Sequence, residues 1–205
     1  MWGTSLKELN VTTINSTTVG DPACFRSLAE LERMLKTIRS GEDEGRVTLV
    51  MRRAEGGRRE RLESVVLTPD QGVPGDAWAR KPERSLDMQI AVMEKDVAEM
   101  IANGQPLTLF GDCLILDLDL STANLPTGSR LQIGQAVLQV TPYPHTGCRK
   151  FLARFGEEAL RFVSTPALRH RHLRGIYLRV VEAGEVKPQD PVKVLSRPQL
   201  ETRQA

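Results

Sequence analysis

The segment at residues 141–152, Thr-Pro-Tyr-Pro-His-Thr-Gly-Cys-Arg-Lys-Phe-Leu, contains the residues whose types and spacing best suit chemistry. Cys148 directly precedes Arg149 and Lys150, and His145 lies three residues before it. Cationic neighbours stabilise a thiolate, which is the nucleophilic and metal-binding form of cysteine. The segment therefore makes Cys148 the candidate reactive thiol.

The elements on either side of Cys148 predict where this thiol lies. A strand ends at Val140, because the two prolines that follow cannot continue a ladder of backbone hydrogen bonds. A helical pattern begins after Gly147, with Phe151 and Phe155 on one face. Cys148 is thus expected near a helix N-terminus, where free N–H groups favour negative charge. By placement alone, a small buried residue in a turn is an equally good interpretation.

The cysteine count indicates a reducing compartment. Cys24, Cys113 and Cys148 are odd in number and lack the spacing of a metal site or a disulfide framework. Cys24 and Cys113 lie in apolar patterns and are interpreted as core residues. The first residues lack the charged start and long apolar stretch of a signal peptide, and no run approaches the ~20 apolar residues that span a bilayer. We therefore expect a cytoplasmic protein with no membrane partner.

The charge balance argues against a nucleic-acid partner. The chain of 205 residues has 28 Lys and Arg against 26 Asp and Glu, which is a net charge of +2. A nucleic-acid-binding domain normally has a much larger basic excess. The length also suits a single domain at residues 1–205, since no linker, repeat or low-complexity tract is visible.

The hydrophobic pattern predicts a mainly β protein with short helices, in the α+β class. Apolar residues at spacings of three and four predict an N-terminal helix at residues 22–40, with Asp21 as its cap. From residue 46 onward, about seven or eight short strands follow at regular spacing, and helices do not alternate with them. This pattern favours a closed or nearly closed β-barrel over a parallel α/β sheet.

Four stretches, in a fixed order around Cys148, resemble the MOSC family, which is named for the C-terminal domain of molybdenum-cofactor sulfurases. The resemblance is to its small stand-alone bacterial members and covers a core at about residues 46–196, with the helix at 22–40 added. The stretches are Gly-Val-Pro-Gly-Asp at 72–76, Leu-Phe-Gly-Asp-Cys-Leu at 109–114, the hairpin sequence at 128–140, and Arg-Gly-Ile-Tyr at 174–177 with the ending Pro-Gln-Asp-Pro-Val at 188–192.

The resemblance implies a MOSC-like barrel that binds the molybdenum cofactor, molybdopterin. In such a protein Cys148 is either a molybdenum ligand or the carrier of a persulfide. The implied activity is sulfur transfer or the reduction of N-hydroxylated compounds. Because no pyridoxal-phosphate domain is present in the sequence, the resemblance implies a partner protein, a cysteine desulfurase or a reductase. Whether the protein is an enzyme stays open.

The candidate cofactor-binding residues lie beside Cys148 or within the family-like stretches. They are Asp76, Asp112, His145, Arg149, Lys150 and Arg174. Arg174 ends a basic run at residues 169–174, which is either a phosphate-binding patch or a solvated turn. Asp76 is either a cofactor contact or the cap of its glycine turn.

Five further arginines flank Gly56 and Gly57, and we interpret them as a solvated hairpin tip. They are Arg52, Arg53, Arg58, Arg59 and Arg61.

Two differences from the family pattern motivate an alternative function. Asp112 and Cys113 stand where relatives carry Glu and Asn, and Ala77 and Trp78 stand where relatives often carry a basic residue and His. The alternative is a non-catalytic barrel, a binding module that has lost the cofactor site.

Overall fold

The computed structural model describes residues 12–14 and 19–198. Its α-helices are α1 (Leu28–Leu35), α2 (Lys95–Ala102) and α3 (Arg149–Ser164). Its strands are β1 (Thr12–Ile14), β2 (Glu44–Arg53), β3 (Arg59–Arg61), β4 (Val65–Leu67), β5 (Ile90–Glu94), β6 (Leu114–Asp117), β7 (Arg130–Ile133), β8 (Ala136–Val140), β9 (Ile176–Glu182), β10 (Gly184–Val186) and β11 (Pro191–Ser196). The N-terminal residues, where the sequence predicts no signal peptide, lie mostly outside the described residues.

Seven strands close into a barrel. The strands β2, β11, β7, β8, β9, β5 and β6 are hydrogen-bonded in that order, and β6 pairs back with β2. The sheet is mixed, because β5 and β6 run parallel while the other neighbours are antiparallel. The strand β3 forms a hairpin with β2 and pairs antiparallel with its C-terminal end. The strands β4 and β10 pair with each other in a separate two-stranded sheet. The prediction of a mainly β protein with a closed barrel is confirmed.

Two apolar cores lie on either side of the barrel wall. In β6, Leu114 and Leu116 face the barrel interior, whereas Ile115 packs with the helices, as the alternation of side chains along a strand requires. Phe155 and Phe162 of α3 belong to the same helix-side core. Because both faces of β5 and β6 are buried, their sequences are continuous apolar runs rather than alternating patterns.

The N-terminal helix is shorter than the predicted range of 22–40. Asp21 caps only a 3-10 turn at Pro22–Cys24. The helix α1 begins after Ser27, because the Ser27 hydroxyl accepts from the Glu30 N–H while the Glu30 carboxylate accepts from the Ser27 N–H. This reciprocal cap sets the helix start. The prediction is therefore wrong at both ends. None of the helices in the described part of the chain is long and apolar enough to cross a membrane.

Candidate functional site

Cys148 is the N-cap residue of α3, and its side chain is exposed. Its carbonyl accepts a helical hydrogen bond from the Leu152 N–H at 3.0 Å. Residues 141–147 join β8 to α3 without regular structure, because prolines interrupt backbone hydrogen bonding there. The exposure rules out the interpretation of Cys148 as a small buried residue.

Cationic side chains follow Cys148 along α3. Arg149 and Lys150 form the first turn and are exposed. Arg154 is half-buried, and its Nη1 donates to the Leu109 carbonyl at 3.0 Å. Burial lowers the pKa of Arg154, and the largest effect opposing this shift is the coulombic attraction between its guanidinium and Cys148. The thiol and this guanidinium are therefore close enough for their charges to interact.

A buried ion pair forms the floor of the site. Arg174 Nη1 donates to Asp112 Oδ2 at 2.8 Å, and the Asp112 side chain is completely buried. Arg174 Nη2 also lies 3.4 Å from the Phe110 carbonyl, and its guanidinium stacks 5.4 Å from the centre of the Phe151 ring. Burial raises the pKa of Asp112, and the charge and hydrogen bond of Arg174 oppose this shift. The pair holds the loop before β6 against the loop before β9.

His145 lies against this ion pair. Its Nδ1 is 3.6 Å from Asp112 Oδ1, and its ring centre is 4.4 Å from that of Tyr177. The side chain is only 7% exposed. Burial, together with the charges of Arg174 and Arg53, holds the pKa of His145 well below its usual value. His145 is therefore neutral at pH 7.

A second ion pair lies next to the first. Arg53 Nη2 donates to Asp76 Oδ2 at 2.6 Å, and the Asp76 carboxylate also accepts from the backbone N–H groups of Arg53 and Trp78. Burial alone would raise the pKa of Asp76, but the bond and charge of Arg53 outweigh it and lower the pKa. The Cys113 thiol lies 3.9 Å from Arg53 Nη2, and burial raises its pKa to about 12. Cys113 is thus an inert core residue, as expected.

Arg59 adds a further buried cation. Its side chain is packed in the interior, where burial, followed by the charges of Arg154 and Arg53, lowers its pKa to about 10. Gly111 adopts a left-handed conformation between Arg59 and Arg154, and a Cβ there would lie 3.5 Å from Arg59 Nε and 3.9 Å from Arg154 Nη1. The glycine leaves open the space between the two guanidinium groups.

We call Arg53, Arg59, Arg154 and Arg174 the arginine cluster. Asp76 and Asp112 pair with two of its members, Arg53 and Arg174. Within the described residues, Arg59 and Arg154 have no carboxylate partner. The cluster is therefore net positive beside an exposed thiol, which suits an anionic ligand.

Three polar atoms in this region are buried without a hydrogen-bond partner. Across the described chain only four side-chain atoms have this property, and Asp112 Oδ1, His145 Nδ1 and Arg174 Nε are three of them. Buried polar groups are almost always paired in folded proteins. Asp112 Oδ1 and His145 Nδ1 lie only 3.6 Å from each other, which leaves Arg174 Nε as the atom of the three without a near polar neighbour among the described residues.

The basic run at residues 169–174 does not converge on one site. Arg169 and His170 are exposed, whereas Arg174 is buried in its ion pair. His172 Nε2 lies 2.9 Å from the Thr122 hydroxyl. The run is thus partly a solvated turn, and Arg174 alone joins the cluster.

The sequence interpretation missed Arg53, Arg59 and Arg154. The idea of a solvated hairpin tip is wrong for Arg53 and Arg59, because Arg53 pairs with the buried Asp76 and the Arg59 side chain is itself buried. A usable signal was present: Arg53 and Arg59 are direct cross-strand partners around the glycine turn, and opposite residues on paired strands share a face. No sequence signal marked Arg154.

The family comparison agrees with this geometry. The family model described as "MOSC domain" matches residues 82–193, which is more than half of the chain. The chain belongs to the MOSC domain family. The matched region of this MOSC protein contains Asp112, His145, Cys148 and Arg174, while Asp76 precedes it.

Solved structures of other proteins show the same fold at low sequence identity. YiiM from Escherichia coli is 20% identical with a TM-score of 0.51, and the match covers 75% of this chain and 71% of that chain. The YUAD protein from Bacillus subtilis is 18% identical with a TM-score of 0.50, covering 74% of this chain and 95% of that one. A search of curated proteins finds no match.

Proposed function

We propose that this MOSC protein binds a molybdenum cofactor of the molybdopterin type, with Cys148 as the residue that meets the metal or its sulfur. The observation that carries the proposal is an exposed thiol at the N-cap of α3, beside the net positive arginine cluster. A soft thiolate is a suitable ligand for soft metals. The family is associated with this cofactor, and the residues present fit it.

The cofactor would have to supply most of the metal ligands itself. Within the described residues, no group of three or more His, Cys, Asp or Glu side chains is placed to hold a metal ion. Cys148 would then contribute a single protein thiolate to a metal whose other ligands come from the cofactor. This is the arrangement expected for a metal carried by an organic group rather than by a protein cage.

The cationic residues divide into two roles. Arg149 and Lys150 on the first turn of α3, with Arg154 and Arg59 behind them, would hold the anionic part of the cofactor, since arginine offers a planar fork to phosphate. We assign Asp76, Asp112, His145 and Arg174 a supporting role. Asp112 pairs with Arg174, and Asp76 pairs with Arg53. These two ion pairs, with His145 lying 3.6 Å from Asp112, fix the walls of the site.

The bound cofactor would supply two-electron redox or sulfur-transfer chemistry. Cys148 acts as a ligand in the first case and as a persulfide carrier in the second. Reduction of N-hydroxylated compounds requires an electron-donating reductase partner, and persulfide formation requires a sulfur donor such as a cysteine desulfurase. A reducing compartment, the cytoplasm, keeps the thiol free for either role.

The test is the cofactor content of the purified protein. The wild type and the variants Cys148→Ser and Cys24→Ser are produced in a molybdopterin-competent host, and molybdenum and pterin are assayed. The proposal expects cofactor in the wild type and Cys24→Ser, and its loss in Cys148→Ser. Pterin that stays bound to Cys148→Ser without a change in molybdenum would contradict the ligand role, and absence of persulfide labelling on Cys148 would contradict the carrier role.

The alternative, a binding module that has lost the cofactor site, is favoured by one outcome. Negligible molybdenum and pterin in all three proteins, despite correct folding, would support it.

A further inference from the structure

The helix α3 is broken at Gly156. This residue has φ 85° and ψ 170°, a backbone conformation that is essentially confined to glycine. The break divides α3 into two halves, at residues 149–155 and 157–164, and Cys148 is the N-cap of the first half. A Cβ on Gly156 would lie 2.7 Å from Cδ2 of the Phe25 ring. Phe25 therefore packs directly on the break, and the placement of Cys148 depends on what holds the first half there.

Two backbone carbonyls at the break bond to groups outside α3. The Ala153 carbonyl accepts from the Gly20 N–H at 3.0 Å. The Arg154 carbonyl accepts from Gln105 Nε2 at 3.4 Å. The last carbonyls of a helix have no partner within that helix, and these two bonds supply partners from elsewhere in the fold. They fix the end of the first half of α3.

We call residues 20–27 the strap, because this segment joins the break in α3 to the end of α2. The Asp21 N–H donates to Gln105 Oε1 at 2.8 Å, so one side chain bonds both the strap and the break. The Arg26 Nη2 donates to Asn103 Oδ1 at 2.7 Å, and Asn103 is the C-cap of α2. The strap is thus tied to α2 as well as to α3, which gives it a fixed position.

The strap approaches α3 most closely at Gly20. A Cβ on Gly20 would overlap the Arg154 carbonyl, so this approach requires glycine. The guanidinium of Arg154 is held separately, because its Nη1 donates to the Leu109 carbonyl at 3.0 Å. Its charge attracts Cys148. The strap precedes the family-like region at residues 82–193, so this contact comes from a part of the chain outside the family model.

We propose that the strap positions the first half of α3 and thereby keeps the Arg154 guanidinium beside the Cys148 thiol. Gly20 and Phe25 are the positioning residues. Gly20 acts through the backbone at the break, and Phe25 acts through Gly156. The proposed function gives this arrangement its use, but labelling of the thiol needs no cofactor. A failure of this inference is therefore distinguishable from a failure of cofactor binding.

The test compares labelling of Cys148 by iodoacetate, which is an anion, with labelling by neutral iodoacetamide. Both reagents attack the same thiolate, so the ratio of their rate constants cancels the thiolate fraction and reports the local charge. Mass spectrometry of the Cys148 peptide gives both rates for the folded full chain. Arg154→Met should lower the ratio about three-fold, the effect of one unit charge a few ångströms away in water. Gly20→Ala and Phe25→Ala should each lower it about two-fold by the same effect.

Two control variants separate positioning from a general loss of stability. Ser27→Ala changes the last residue of the strap, whose side chain bonds to Glu30. It should leave the ratio unchanged. Phe25→Leu retains an apolar side chain at the break and should restore most of the wild-type ratio. A ratio that falls as far in Ser27→Ala as in Phe25→Ala would overturn the proposal.

Double variants show whether the strap acts through Arg154. Adding Gly20→Ala or Phe25→Ala to Arg154→Met should cause no further fall in the ratio, because the charge that the strap positions is already gone. A further two-fold fall in the double variants would overturn the proposal, and so would an unchanged ratio in both strap variants or in Arg154→Met. Gly20→Ala and Phe25→Ala test the same contact from two sides, so either one decides the matter where the other fails to fold.

Discussion

Replacing Asp112 with alanine leaves the Arg174 guanidinium buried without its carboxylate. In the wild type the two groups are 2.8 Å apart, with Arg174 8% exposed and the Asp112 side chain not exposed at all. The remaining contact of Arg174 with a protein oxygen is the one to the Phe110 carbonyl at 3.4 Å. The Arg174 guanidinium therefore stays buried away from water, but it loses most of the attraction and hydrogen bonding that offset the cost of burying its charge.

The expected loss is large. Removing one partner of a buried ion pair typically costs about 3–5 kcal/mol of unfolding free energy. For a protein of this size, that corresponds to a fall in Tm of roughly 6–20 °C. An exposed pair provides the matched control: Lys193 and Glu44 are 3.2 Å apart but 54% and 71% exposed. Glu44→Ala is expected to cost less than about 1 kcal/mol.

The assay is urea unfolding of the wild type, Asp112→Ala, Arg174→Met and the double variant. Because Arg174→Met removes the buried charge, the double variant should lose about 2 kcal/mol less than the sum of the two single losses. Additive losses within about 0.5 kcal/mol would refute the reasoning. Equal losses for Asp112→Ala and Glu44→Ala would refute it as well.

Three further predictions concern other parts of the site and fold. Burial holds the pKa of His145 below its unfolded value. Below pH ~6.5, His145 therefore binds a proton in the unfolded chain but not in the folded chain. Between pH 6.5 and 5 the wild type should lose up to about 2 kcal/mol more unfolding free energy than His145→Gln, measured by urea titration. Native alkylation with mass spectrometry should label exposed Cys148 well before buried Cys113. Ser27→Ala removes the cap of α1 and should cost about 1 kcal/mol.

Each of these has a clear contradicting result. A parallel pH dependence for the wild type and His145→Gln would mean that His145 is not held neutral. Labelling of Cys113 as fast as Cys148 would contradict its burial. An unchanged midpoint for Ser27→Ala would show that the Ser27–Glu30 cap does not stabilise α1.

The sequence predicted the barrel better than the helices around it. The hairpin of β7 and β8 has alternating apolar residues on both sides of Gly134, and this local pattern is sufficient to define two paired strands. The ends of α1 were harder to predict, because the apolar spacing extends past both ends of the helix that Ser27 caps. Spacing reports a helical face but does not locate its ends, which depend on individual capping bonds.

The sequence predicted only part of the candidate site. His145 and Cys148 lie close in sequence, and Asp112 and Arg174 were found through their family-like stretches. The structure brings His145, Asp112 and Arg174 together. Arg154 had no comparable signal, since the burial of a charged residue depends on which distant carboxylates and cations it meets.

The sequence by itself determined that Cys148 follows the end of a strand and begins a helix, because prolines and apolar spacing act over a few residues. Only the tertiary structure decided that this thiol is exposed beside a net positive cluster. The members of that cluster come from β2, β3, α3 and the loop before β9, and closure of the barrel brings them together. Electrostatic surroundings depend on distances through space, and those are set by packing rather than by order along the chain.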